Sequence, residues 1–475
     1  MNIIKKYIKK RRNEFFYYFY NKIYILKSFI VFFIIILIID YNKIKKLYSL
    51  DINEKYSKIK RDLNLTINKK IKLKIKIGIY GYCIKNGGRA RITSILINYF
   101  YKIKIFKLFL FTRLNKEDKE YKIPENIKRA TVKNDLIKII FKNRIDIFIY
   151  QLNYFEQIKS LNKLKNKCII FYQHSSLFYE LYSNITSFLS LYKEYQNSKY
   201  IISLIRIEND YLFKKWGISS LLMNNFITYE YNSVIQSDLS SKIILMIGSA
   251  NKKLKRFELG IRSMEYIIQD IQECKMKVIS NLNGTYFIQN LINNLNLEYN
   301  INFTGFTLIP EINFKNASLH IFPTLTESFG LVLSETKIFG IPNILVGLDY
   351  VSIAKGGTII IYDDTPESIS KESIKILKNK KLRELLGKEA KKSMMKFNNK
   401  FLFNRWIKLI LYIYNGDIYY QTLRNSIKNI NENEVIKILS NQINLLRKRN
   451  IIFNNITIDD FTNFTKMNSI LLTET

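Results

Sequence analysis

Cysteine and histidine are nearly absent from this chain of 475 residues. The three cysteines, Cys83, Cys168 and Cys274, are far apart and odd in number, which excludes a disulfide framework and any cysteine-spaced metal site. That usage leans toward a reducing compartment. Two histidines, His174 and His320, exclude a multi-histidine metal centre. Glycine (16) and proline (5) are too few for collagen-like or proline-rich architectures. Acidic residues are also scarce: 39 Asp and Glu against 76 Lys and Arg give a formal charge of +37. Such a charge invites a nucleic-acid partner. The lysines are scattered over every segment, however, with no basic stripe interleaved with aromatics. Ile, Lys, Asn, Tyr and Phe dominate throughout, as AT-rich coding would produce. We therefore read the charge as compositional, with affinity for acidic lipid as a by-product and no nucleic-acid partner. At 47% hydrophobic and 14% aromatic residues, a chain of this length is not disordered and supports two or three cored domains.

Residues 1–22 form a basic tail, with Lys5, Lys6, Lys9, Lys10, Arg11, Arg12 and Lys22 against Glu14. Residues 23–39 are apolar except for Lys27 and Ser28. As a helix they reach about 25 Å, the lower limit of a bilayer span. Lys27 lies near one end, where it can snorkel. No small-residue cleavage site follows, so the run is expected to be a single-pass anchor rather than a removable signal. Its orientation is left open, because residues 40–61 carry seven more Lys and Arg. The catalytic part is expected on the cytosolic side. Residues 40–70 are polar and read as a stem.

From residue 71 short apolar runs alternate with helical patterns. KLKIKIGIYGY, FKLFLFT, IDIFIY, CIIFYQ and KYIISLI are strands, and ARITSILINYF is a helix with an apolar face at Ile92, Ile95, Leu96 and Tyr99. A second set begins at Lys242: IILMIGSA, MKVISNL, INFTGF, SLHIFPT, NILVG and TIIIY are strands, with FELGIRSMEYIIQDI and TYFIQNLINNLNL as helices between them. Gly340 ends a further helix where a left-handed cap is wanted, with Pro342 beyond it. This alternation predicts two α/β domains with parallel sheets covered on both faces, at 71–238 and 239–410. A helical tail is expected over 411–475.

The most informative segment is PTLTESFGLVLSETKIFGIP, residues 323–342. A strand ends at Phe322-Pro323, a loop carries Glu327, Ser328, Phe329 and Gly330, and a helix opens at Leu331. In open parallel sheets, ligands bind at the carboxyl ends of the strands, opposite helix N-termini. Backbone N–H groups of Phe329, Gly330 and Leu331 would face an anion such as a diphosphate, and Gly330 lets that backbone approach closely. Glu327 and Glu335 can face one cleft from different heights and accept hydrogen bonds from vicinal hydroxyls. Glu327 as a mere helix cap is the plain structural alternative.

This string, ESFGLVLSE from Glu327 to Glu335 with Pro323 and Gly340-Ile341-Pro342 around it, resembles the signature of the retaining GT-B glycosyltransferases of the group 1 family. The likeness extends over about residues 72–415. GSANKKLKRFELGIRSM resembles the family's strand, basic loop and helix ahead of the donor site, and the 363–390 stretch resembles its C-terminal helices. The resemblance implies two facing Rossmann-like domains, with a nucleotide-sugar donor on the C-terminal side and a glycan or lipid-linked acceptor on the N-terminal side. It implies that Glu335 holds the nucleotide ribose and that Glu327 holds hydroxyls of the transferred sugar. Ser328, Phe329, Gly330, Leu331 and Gly248 would flank the donor. Lys255 and Arg256 would neutralise the diphosphate leaving group, since cleavage of the sugar–phosphate bond develops negative charge there. No cofactor and no divalent metal is expected beyond a UDP- or GDP-linked donor, and the chain has no Asp-x-Asp pair.

One departure stands out. The family has Gly-Arg at the end of the first strand of this domain, and here the pair is Gly248-Ser249. Arg256, Lys252 or Lys253 are candidate replacements for the missing cation; loss of activity is the alternative, leaving a sugar-binding or scaffolding relative. In the first domain, Gly87-Gly88, flanked by Arg89 and Arg91, resembles the family's Gly-rich loop for phosphate or acceptor. His174, at the end of CIIFYQ, matches the position of an active-site histidine near the sugar. His320 lies inside a strand and is read as packed. Seven Asn-x-Ser/Thr sequons, at Asn64, Asn184, Asn283, Asn302, Asn316, Asn455 and Asn463, follow from the abundance of asparagine and do not place the chain in a secretory lumen.

Overall fold

The computed structural model describes residues 74–415, apart from 86, 118–119, 133–135, 152–167, 178, 180–194, 196–197, 199, 219, 251, 281–284, 306 and 308–309. They belong to one compact unit that begins at Lys74. The expected anchor at 23–39, its flanks at 1–22 and 40–70, and the tail beyond 415 lie outside the described residues. Among the described residues no helix is long and apolar enough to cross a membrane.

Two wholly parallel sheets organise the chain. The first comprises β1 (Ile75–Gly81), β2 (Phe106–Thr112), β3 (Lys128–Thr131), β4 (Ile147–Tyr150), β5 (Cys168–Tyr172), β6 (Tyr200–Ser203) and β7 (Leu221–Leu222), in the order β3-β2-β1-β4-β5-β6-β7. The second comprises β8 (Ile243–Ile247), β9 (Lys275–Ile279), β10 (Ile301–Thr304), β11 (Leu319–Phe322), β12 (Asn343–Val346) and β13 (Thr358–Ile361), in the order β10-β9-β8-β11-β12-β13. Strands buried on both faces read as continuous apolar runs. That is why β1, β4 and β11, each buried along almost its whole length, are written IKIGIYG, IFIY and LHIF.

In each sheet the order reverses once, between β1 and β4 and between β8 and β11. Connecting chain diverges to opposite faces at such a point and leaves a crevice above the strand ends. Gly81, at the end of β1, stands at the first crevice, and Gly248, just after β8, and Phe322, at the end of β11, stand at the second. The second sheet is covered by the helices Phe257–Asp270 and Pro366–Lys378, whose Ile261, Met264, Ile369 and Ile376 join Ile244, Met246, Val278 and Ile321 in one core. The helix Pro366–Lys378 starts with Thr365 as cap, whose hydroxyl accepts from Ser368 N at 3.2 Å, and with proline in its first turn.

Three features differ from the sequence reading. The first helix starts at Gly87 and buries Ala90, Ile92, Leu96, Ile97 and Phe100, while Ile95 and Tyr99 are only half-buried. Both its sides are covered, so a single-stripe pattern describes it poorly. The strand Lys128–Thr131 has no apolar run, because it is a short edge with exposed ends. The boundary at 410 cuts through a helix, Asn399–Asn415, that packs on the first sheet rather than the second. Trp406 anchors it there, fully buried edge-on against Tyr172 (5.1 Å) and Phe100 (6.0 Å). His320 is buried as expected, with Nδ1 2.7 Å from Asn343 Oδ1.

Candidate active site

Above the two switch points lies a cavity of about 630 Å³. Residues from both halves line it, including Gly87, Gly88, Arg89, Arg91 and His174 from the first and Gly248, Ser249, Lys252, Lys255, Glu327, Ser328, Phe329, Gly330, Leu331 and Glu335 from the second. The segments that the sequence singled out therefore meet in one place.

The loop between β11 and the helix Leu331–Ile338 is fixed from below. Leu325 N donates to Leu254 O at 2.8 Å, and the Thr324 hydroxyl donates to the same carbonyl at 3.3 Å. This stitching brings the basic loop after β8 against the acidic loop after β11. Lys255 Nζ lies 2.8 Å from Glu327 Oε2, with both side chains about four-fifths buried. Glu327 N donates to the hydroxyl of Tyr350 at 3.2 Å, and burial pushes that phenol up, so it stays protonated. Phe329 is buried edge-on against Phe397 at 5.7 Å.

Gly330 has φ 80° and ψ 63°, a left-handed conformation that favours glycine. As helix N-cap it has no side chain to offer, and the first intrahelical bond is Ser334 N to Gly330 O at 2.9 Å. The N–H groups of Leu331, Leu333 and Val332 are the unpaired donors of the first turn. Across the cavity, a Cβ on Gly88 would stand 2.8 Å from Leu331 Cδ1. Gly88 thus lies close against the helix start of the other half, where a side chain would have to displace that of Leu331.

Glu335 is almost fully buried. Its Oε1 accepts from Arg91 of the first helix and, at 2.6 Å, from the Thr228 hydroxyl. Arg91 is itself steadied by Tyr121, whose hydroxyl accepts from Nε at 3.2 Å and whose ring lies 5.3 Å below the guanidinium. The two halves are thus joined by an ion pair at the residue expected to hold ribose. A second link runs from the Ser328 hydroxyl to the His174 carbonyl at 2.6 Å.

His174 follows β5. Burial, and then the Arg89 guanidinium, hold its imidazole well below the usual histidine range, so the ring is neutral at physiological pH. Its Nε2 is buried and has no hydrogen-bond partner among the described residues. A buried polar atom without a partner is costly, and this one belongs to a residue of the cavity wall.

Arg256 departs from the expected role. It is 6% exposed, does not line the cavity, and its guanidinium lies 3.3 Å from Asp364 Oδ2. Its backbone is left-handed (φ 49°) at the start of the helix Phe257–Asp270. A cation so deep in the fold needs a carboxylate, and Asp364 supplies it on the far side of the basic loop. Lys253 is exposed and also off the cavity wall. Thr228, Tyr121 and Tyr350 were illegible as site residues in the sequence, since each comes from a stretch without a motif. Tyr121 lines the cavity, whereas Thr228 and Tyr350 bond to Glu335 and Glu327, which line it.

Residues 230–393 match the family described as glycosyl transferases group 1. This segment of the chain belongs to that family. The match covers the whole basic loop, the Glu327–Glu335 string and the helices after β13. The fold is shared with proteins of known structure. Sucrose-phosphate synthase from Thermosynechococcus elongatus aligns with TM-score 0.60 and 14% identity over 72% of this chain and 99% of its own. S. aureus TarM, solved in complex with UDP, gives 0.57 and 13% over 72% and 100%. Anabaena HepE, in complex with UDP and glucose, gives 0.57 and 13% over 71% and 99%. At these identities the likeness is one of fold, and the structure is of the GT-B type. No curated protein matches the chain in sequence.

Proposed function

We propose that this glycosyltransferase moves a hexosyl group, with retention, from a UDP- or GDP-linked donor to a glycan or lipid-linked acceptor at a membrane. The observation that carries the reading is the Lys255–Glu327 pair beside the uncapped helix start at Gly330, facing His174 across one cavity. Complexes of HepE and TarM with UDP support a uridine donor.

In this reading the diphosphate lies against the N–H groups at Phe329, Gly330 and Leu331, with Lys255 holding its oxygens. Glu335 takes the ribose hydroxyls, which requires Arg91 to yield its place there. Glu327 and the free Nε2 of His174 take hydroxyls of the sugar. The bond from C1 of the sugar to the phosphate oxygen breaks, and the acceptor oxygen forms a new bond to C1 on the same face. The acceptor proton passes to the leaving phosphate oxygen. The protein's part is positioning and stabilisation of the charge that develops on the diphosphate, the terms that weigh most in such reactions. The chain's own cations carry that charge, with no cofactor or divalent metal. The apolar run at 23–39 anchors the enzyme, with the catalytic part on the cytosolic side.

Incubation of the full chain with a panel of UDP- and GDP-hexoses tests the reading. The expected result is nucleotide release from one donor class, unaffected by EDTA, with the donor's anomeric configuration kept in the product. An inverted product would defeat the retaining mechanism. A second reading, a sugar-binding relative without turnover, is favoured by Ser249 at the end of β8 and by the occupation of Glu335 by Arg91. Saturable donor binding with no turnover of any donor would select it.

A further inference from the structure

The cavity wall on the side of the second sheet holds two lysines, Lys252 and Lys255, on one loop. Their places are set by successive turns: Lys252 N donates to Ser249 O at 3.0 Å, and Lys255 N donates to Lys252 O at 2.8 Å. The first of these turns keeps the backbone of Lys252 close to Ser249, and both residues line the cavity beyond the end of β8. Lys255 is neutralised by Glu327. Lys252 forms no ion pair among the described residues, although it lies within electrostatic reach of Lys255, Arg89 and Glu327. Partial desolvation, followed by the Lys255 and Arg89 charges, lowers its ammonium below the usual lysine range, although the residue as a whole is exposed. Like charges crowded at one side of a cavity are unfavourable unless an anion joins them.

We propose that Lys252 is an anion-binding residue of the cavity, gripping the diphosphate of the donor from beside Ser249. The inference rests on the transferase reading for the identity of the anion. It assigns to Lys252 the cation that Gly248-Ser249 lacks, and it excludes the other two candidates on position: Arg256 is turned to Asp364, and Lys253 is off the cavity wall. A lysine here is a point charge on a flexible stem rather than a rigid fork, so it contributes attraction to the diphosphate without bidentate geometry.

The test is calorimetric titration of the full chain and its Lys252→Ala and Lys252→Arg variants with UDP, GDP, uridine, guanosine and inorganic pyrophosphate. One charge-assisted contact corresponds to roughly a 10- to 100-fold change in affinity. Lys252→Ala should therefore weaken the bound nucleoside diphosphate and pyrophosphate by about that factor. It should leave the nucleoside unchanged and flatten the salt dependence of diphosphate binding. Lys252→Arg should restore most of the loss. Unchanged diphosphate affinity in Lys252→Ala, or an equal loss for nucleoside and diphosphate, would overturn the assignment while the transferase reading stood. Wild-type protein that binds pyrophosphate through Lys252 but neither nucleotide would uphold the anion site and overturn the transferase reading instead. Wild-type protein that binds none of the five would overturn both.

Discussion

At the residue scale, the two glutamates of the signature occupy different electrostatic settings, and their variants should differ. Glu335 is buried against Arg91 and Thr228, whereas Glu327 is paired with Lys255. Glu335→Ala is expected to weaken binding of free nucleotide and nucleotide-sugar alike. Glu327→Ala is expected to spare free nucleotide and remove the increment that the sugar adds. Titration of both variants with UDP, GDP and their hexose conjugates decides the matter; equal losses on free nucleotide would contradict the division of roles.

Lys337, one turn from Gly340 and fully buried, makes a second residue-scale prediction. Its ammonium donates to the carbonyls of Ile353 (2.5 Å), Ala354 (3.5 Å) and Lys355 (2.8 Å), tying the site helix to the loop after Tyr350. Burial, and then the Lys396 charge, lower it to about 7 from the lysine value of 10.5. Between those two pH values the unfolded chain binds a proton there that the folded chain does not, so stability rises with pH. The contribution is complete above the unfolded pKa and is lost as pH falls through the folded one. Urea unfolding from pH 7 to 10 should show that rise in the wild type, and Lys337→Met should lack it. A parallel pH slope in both proteins would show that Lys337 stays charged in the fold.

At the scale of elements, the strands and the helices between them follow from composition. IKIGIYG, FKLFLFT, IFIY and LHIF are strands because a parallel sheet covered on both faces tolerates no alternation. The site loop is equally legible, since Gly330 meets a backbone need that the sequence displays. The helix Asn399–Asn415 was not legible as one element, since the boundary expected at 410 falls inside it. Its Leu402, Trp406, Leu409, Ile410 and Ile413 form an apolar face, and nothing local in that face says which sheet it covers. Trp406→Ala should destabilise the protein by about 3–5 kcal/mol, the range for a large aromatic removed from a core. Chemical denaturation measures it, and Trp406→Phe should recover most of the loss. A loss under about 1 kcal/mol would mean that the helix is only loosely seated on the first sheet.

At the scale of the whole molecule, two sheets face one cavity, and polar links from each half close over it. The run at 23–39 makes a prediction on this scale. Deletion of residues 1–45 is expected to release the chain from membranes while leaving nucleotide binding intact, since the cavity is built from residues beyond 74. Fractionation at high salt is required, because a charge of +37 would otherwise hold the protein to acidic lipid by electrostatics alone. A truncated chain that still pellets with membranes at high salt would place the attachment elsewhere.

The sequence by itself determined what local chemistry can write: parallel strands as apolar runs, a helix start at Gly330, and two carboxylates spaced along a loop and helix. It also carried the resemblance that named the family. Only the tertiary structure decided which cations share the cavity. Lys252, Arg256 and Lys253 are near-equivalent in the sequence, within five positions of one another. A 3-10 turn at Lys253–Lys255 and a left-handed residue at 256 send them to three different environments. Likewise the pairing of Arg91 with Glu335 joins residues 244 positions apart. Long-range partners of this kind depend on how two sheets come to face each other, and no local propensity encodes that arrangement.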